Sequence, residues 1–157
     1  MAEVSLKKTE AIRVAYICGK GPYSGIGEAT GKLMAWVRSQ GYQPAGPLSG
    51  VYFNSPTDTS PEKLRWEVHI PVSPQTPLVK EGKEGMGVKQ VSSQEVATTL
   101  HRGPYSEVGR TYQVLMEWMG KNSYQVAGPA QEVYLNDPRT TPPQGLLTEV
   151  RLPVKKR

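Results

Sequence analysis

Two glutamates stand in the same setting 82 residues apart: Glu67 and Glu149, each opening the pattern Glu-Val-x-x-Pro-Val. Four tyrosines share that offset, Tyr52 with Tyr134 and Tyr23 with Tyr105. Carboxylates beside aromatic rings suit a flat ligand that is apolar or cationic. The ring face attracts a cation, and a partly buried carboxylate supplies the opposite charge. Each glutamate falls on the polar side of a period-two alternation: Leu64, Trp66, Val68, Ile70 and Val72 oppose Arg65, Glu67, His69 and Pro71. If Val51 and Phe53 turn toward a helix, Tyr52 and Tyr134 join the glutamates in an aromatic groove with acid at its floor. The alternative is a wet outer sheet face, where glutamate is an ordinary residue.

Other chemistry is sparse. His69 lies two residues from Glu67 and is able to form an acid/base pair with it, but its copy is Arg151, so a solvated imidazole is expected. His69 and His101 have no His/Cys/Asp spacing for a metal, and no P-loop, GxGxxG or GxSxG segment appears. No metal or cofactor is therefore expected. The single cysteine, Cys18, has Leu100 as its copy and reads as a small buried apolar residue. One cysteine forms no internal disulfide, which favours a reducing, cytoplasmic setting.

The elements that must position these residues come in two copies. Gly21-Pro22-Tyr23-Ser24 returns as Gly103-Pro104-Tyr105-Ser106, and residues 14–72 match 96–154 without a gap at 26 of 59 positions. In the first copy Ile12–Ile17 reads as a strand, with Val4-Ser5-Leu6 as an earlier start broken around Thr9-Glu10, and Gly21-Pro22 as a turn. Ser24 reads as a helix N-cap, followed by Ile26, Ala29, Leu33, Met34 and Val37 at helical spacing up to Gly41. Ser106 with Val108, Tyr112, Leu115, Met116 and Met119 repeats that stripe. Trp36, Trp118 and Trp66 read as packing residues; Tyr23 and Tyr105 staple the helix start or reach the groove.

Each copy is thus strand–helix–strand–strand. The expected fold is α+β: a tandem duplication giving an antiparallel sheet with two helices on one face and a ligand groove at a pseudo-two-fold axis. One domain is expected over 1–157, with repeat 1 at about 4–72, a flexible linker at about 73–89 and repeat 2 at about 90–154. The net charge of +5 is scattered apart from the tail Lys155-Lys156-Arg157, which argues against nucleic acid as a partner. No run is long enough to span a bilayer, so no membrane partner is expected.

The repeated turn and helix with Leu33-Met34-x-Trp36 and Leu115-Met116-x-Trp118 carry a resemblance, as do Tyr52-Phe53-Asn54-Ser55-Pro56 and Glu132-Val133-Tyr134-Leu135-Asn136. With Glu62-Lys63-Leu64-Arg65 and the strand bearing Thr148-Glu149-Val150, the chain resembles the GyrI-like superfamily, described as small-molecule (effector) binding domains. The resemblance implies a groove between two strand-helix-strand-strand units. It implies a small-molecule ligand, with a last-strand glutamate in the pocket, which falls on Glu149, and on Glu67 by symmetry. The family also includes hydrolases of cyclopropane-bearing DNA-alkylating toxins, in which Glu149 would be the general base, and a gyrase inhibitor, which makes DNA gyrase a further partner implied. The family's regulators carry a separate DNA-binding domain; this chain opens on the first repeat, so a freestanding member is expected.

Overall fold

The fold was analysed in a computed structural model that describes residues 3–157. Alternating apolar residues produce strands β1 (Ser5–Lys8), β2 (Ile12–Lys20), β3 (Ser49–Tyr52), β4 (Arg65–Pro71), β5 (Met86–Val91), β6 (Glu95–Arg102), β7 (Tyr124–Val126), β8 (Ala130–Tyr134) and β9 (Leu147–Lys156). The two helical stripes produce α1 (Ile26–Gln40) and α2 (Val108–Lys121). The chain divides into two compact units: a first unit, Glu10–Ser93, and a second made of residues up to Thr9 with Gln94–Arg157.

In the first unit the strands run in the antiparallel order β3-β4-β2-β5. Helix α1 buries Ala29, Leu33 and Val37 against Ala15, Ile17, Trp66, Val68 and Ile70. In the second unit the order is β1-β6-β9-β8, with β7 also pairing β9. Helix α2 buries Leu115 and Met119 against Ala97, Val150, Leu152 and Val154. Leu33 and Leu115 are both fully buried, each worth roughly 1.5–3 kcal/mol of apolar transfer.

The registers of the two units agree residue for residue at the offset of 82. Val14↔Pro71 is matched by Val96↔Pro153, and Val51↔Glu67 by Val133↔Glu149. The leading strand of each repeat is exchanged: β1 pairs with β6 of the second repeat, and β5 pairs with β2 of the first. The expectation that Val4–Leu6 begins the β2 strand is corrected accordingly.

Three further local expectations change. Ser24 and Ser106 do not cap the helices; each lies inside a 3₁₀ turn (Tyr23–Gly25, Tyr105–Glu107) that leads into α1 or α2 without a side-chain cap. The turn depends on Gly21 and Gly103 at φ 118° and 123°. A Cβ there would meet no neighbour, so it is the left-handed backbone that selects glycine. The joint between repeats is ordered rather than flexible over its second half. Val79 bridges to Val88, Cys18 N–H donates to the Gly85 carbonyl, and β5 begins at Met86.

Candidate functional site

Strand pairing decides which face each residue of β8 occupies. Glu132 lies opposite Val150, and Tyr134 opposite Thr148. Val150 packs under α2, so Glu132, Tyr134 and Thr148 share the helix-facing side of the sheet in the second unit. There the Tyr112 hydroxyl, from α2, donates to Glu132 Oε2 at 2.7 Å, and Tyr134 donates weakly to Oε1 at 3.4 Å. The Tyr134 ring meets the Tyr105 ring edge-on at 5.4 Å.

His101 stands opposite Thr148 in β6. Its Nε2 lies 2.9 Å from the Pro104 carbonyl and its Nδ1 2.6 Å from Thr111 Oγ1. A carbonyl only accepts, so Nε2 carries a proton; in the neutral ring the Thr111 hydroxyl then donates to Nδ1. The Thr148 hydroxyl is fully buried and has no hydrogen-bond partner among the described residues. Burial pushes the Glu132 carboxyl above the usual carboxylate range; the two tyrosine hydroxyls and the electrostatic influence of His101 pull it partly back. A half-buried carboxyl of this kind, walled by phenols, is able to neutralise a cation or take a proton.

The same positions in the first unit are filled. Gly50 stands for Glu132, Trp66 for Thr148, Gly19 for His101 and Ala29 for Thr111. A Cβ on Gly19 would fall 2.2 Å from the Trp66 indole, and one on Gly50 2.5 Å from the Tyr52 hydroxyl. Trp66 Nε1 donates to the Gly21 carbonyl at 3.1 Å. Tyr23 and Tyr52 keep the edge-on contact, at 5.2 Å.

The two glutamates expected to floor the site lie elsewhere. Val51 and Val133, not the tyrosines, face Glu67 and Glu149 across the strand pairs, so Tyr52 and Tyr134 are on the opposite side of the sheet from them. Glu149 accepts from Arg151 Nε at 2.8 Å, Thr98 at 3.0 Å and Lys7 at 3.2 Å. Burial, the largest single influence, would raise its carboxyl; the bond and charge of Arg151, the Thr98 hydroxyl and the Lys7 charge together outweigh it and hold the group below the ordinary range. Glu67 Oε1 accepts from Lys89 at 2.6 Å and pairs with His69 at 2.7 Å. Burial again opposes, but these bonds hold Glu67 at about 2.

His69 is thus buried rather than solvated, and its Nδ1 has no hydrogen-bond partner among the described residues. Cys18 is corrected as well: it is half-exposed, and its thiol donates to Glu81 at 3.0 Å and to Glu67 at 3.6 Å. Burial and those carboxylates push it up to about 12, so it stays a thiol at neutral pH. The sequence reading did not single out Glu132, Tyr112, His101 and Thr148, which the structure gathers under α2. The signal for them lies in departures between the copies, where Gly50 becomes Glu132 and Trp66 becomes Thr148. Among the described residues, no group of three or more His, Cys, Asp or Glu side chains is placed to hold a metal ion, and no helix is long and apolar enough to cross a membrane.

A helix laid over a mostly antiparallel sheet in each of two units, with an acid under one helix, defines an α+β small-molecule binding architecture. The chain belongs to the GyrI-like small molecule binding domain family, whose model matches residues 2–155. A DNA gyrase inhibitor of Serratia proteamaculans (strain 568) is 31% identical over 140 residues, covering 85% of this chain and 87% of that protein. The EcmrR C-terminal domain is 17% identical with a TM-score of 0.80, covering 100% of this chain and 99% of that one. Of the longer EcmrR chain solved in a DNA complex, 58% is spanned at a TM-score of 0.85 and 17% identity, with 99% of this chain covered. A hydrolase from Listeria innocua is also 17% identical, with a TM-score of 0.76 over 98% of this chain and 92% of that one.

Proposed function

We propose that the second unit binds a planar, apolar cation, with Glu132 as the counter-charge and Tyr105, Tyr112 and Tyr134 as walls, in protection against a drug or toxin. The observation that carries this reading is the Glu132 carboxylate held under α2 by Tyr112, on the same face as the Tyr105–Tyr134 pair. Calorimetric titration with ethidium, a planar cation, and with neutral phenanthrene tests it on wild type, Glu132→Gln and Glu149→Gln. The cation should bind Glu132→Gln about 10- to 100-fold more weakly, the range for loss of a charge-assisted partner. Phenanthrene should be little affected. Loss in Glu149→Gln instead would move the ligand to the other face of the sheet.

A second reading is hydrolysis of a strained cyclopropane ring, with Glu132 as general base toward water. The raised Glu132 carboxyl favours it, since a base works best when its pKa approaches the working pH. Turnover of a cyclopropane-bearing alkylator that survives Glu132→Gln would remove this reading. The Serratia relative's description also makes gyrase a partner to test, by supercoiling assay with and without the protein.

A further inference from the structure

An opening lies in the first unit where β2 ends and β4 begins, a cleft of about 210 Å³. Its lining includes Lys20, Arg65, Phe53, Cys18, Glu67 and Trp66. Lys20 and Arg65 are directly opposite in the register. Like charges so placed destabilise an antiparallel pair. Neither is ion-paired among the described residues; the guanidinium of Arg65 sits only over the Phe53 ring, 5.8 Å from its centroid. That ring is 45% exposed. At the same positions the second unit has Arg102 opposite Leu147, and Leu135 for Phe53, so the double cation and the aromatic platform belong to the first unit alone.

The floor carries acid, but that acid is engaged. Glu67 is bonded to Lys89 and His69, and the Cys18 thiol donates to both Glu67 and Glu81. Of the charged residues that line the cleft, Lys20 and Arg65 are the ones without an ion pair among the described residues, while Glu81 lies beyond the lining. We propose that this cleft binds a small anion bearing one flat ring, an aromatic carboxylate or aryl phosphate. The anion bridges Lys20 and Arg65, the arginine through its paired N–H groups, and the ring lies against Phe53. The volume is below the roughly 300–1,000 Å³ of drug-sized pockets, which limits the ligand to about one ring and one anionic group. Its charge preference is opposite to that of the second unit, and it does not depend on Glu132.

Phenyl phosphate, inorganic phosphate and neutral benzyl alcohol, titrated into the isotope-labelled full chain and followed by amide chemical shifts, test the proposal. The variants are Lys20→Gln/Arg65→Gln, Phe53→Ala and Glu132→Gln. Phenyl phosphate should shift amides around Lys20 and Arg65 and bind the double variant about tenfold more weakly or worse. Phe53→Ala should lower its affinity to that of inorganic phosphate, and Glu132→Gln should leave it unchanged. Lys20, Phe53 and Arg65 are exposed, so the variants should keep the wild-type amide spectrum elsewhere. Equal binding by the double variant, equal affinity for inorganic phosphate and phenyl phosphate, or shifts confined to the second unit would each overturn it.

Discussion

The two units place the same backbone around two different interiors. In the first, the Trp66 indole occupies the space under α1, made possible by the missing side chain of Gly19 and satisfied by the Gly21 carbonyl. In the second, His101 and Thr148 stand at those positions, and Glu132 enters where Gly50 leaves room for the Tyr52 hydroxyl. The space under α1 is filled by an indole whose N–H is bonded; the space under α2 keeps a partly buried acid and a hydroxyl without a partner among the described residues. Buried polar groups without full partners cost free energy. The difference teaches that one backbone plan accepts either a filled apolar interior or one that carries polar groups, and the proposed binding rests on the second.

The comparison breaks most visibly in the first unit. Trp66→Ala should destabilise the protein by about 3–5 kcal/mol, the range for emptying a buried aromatic site. Urea unfolding checks it, and a loss under about 1 kcal/mol would mean that Trp66 is not the filler. The reverse transplant comes next. His101→Gly with Thr148→Trp should convert the second interior into the first, abolishing ethidium binding while far-UV circular dichroism stays unchanged. Retained binding would separate the ligand from this interior.

Two carboxylates then sharpen the contrast through pH. Glu132 is raised in the folded state, so its contribution is complete below the unfolded value near 4.5 and is lost as pH rises through the raised value. Glu132→Gln should therefore melt higher than wild type at pH 8, with the advantage shrinking toward pH 4.5. Glu67 has the opposite sign: it stabilises above about 4.5, and that stabilisation is lost as pH falls toward about 2. Glu67→Gln should lower the melting temperature at pH 7 and approach wild type near pH 2. The smallest effect is expected at Thr148. Replacing its unbonded hydroxyl by a methyl, Thr148→Val, should raise stability by about 1 kcal/mol. A destabilised variant would show that the hydroxyl has a partner.

Much of the architecture was legible because it repeats. The stripes from Ile26 to Val37 and from Val108 to Met119 became α1 and α2, and the period-two runs became β4 and β9. The exchange of β1 and β5 was not legible. Both β2 and β6 offer a Val-Ala edge, Val14-Ala15 and Val96-Ala97, and local pattern does not say which one a leading strand takes. The serine caps failed because a 3₁₀ turn delays the helix by two residues beyond Ser24.

The four tyrosines were legible as repeated residues, and Tyr105 meets Tyr134 as Tyr23 meets Tyr52. The acid on their side of the sheet was not legible. In Val51-Tyr52-Phe53 every side chain is apolar enough to face a helix, so the face was settled only by pairing with Glu67. Attention to what the copies share pointed to Glu67 and Glu149, whereas Glu132 is visible only as a departure from the repeat.

The exchange of leading strands also has a consequence for the order in which the molecule comes into being. Lys8 is translated 87 residues before its partner Glu95, a wait of roughly 4–17 s at about 5–20 residues per second. The packed unit, Glu10–Ser93, is a continuous stretch and is complete on the ribosome before that wait ends. The unit bearing Glu132 needs both β1 and β9, since β1 pairs with β6 and β9 lies between β6 and β8. A ligand for it therefore meets only chains synthesised through β9.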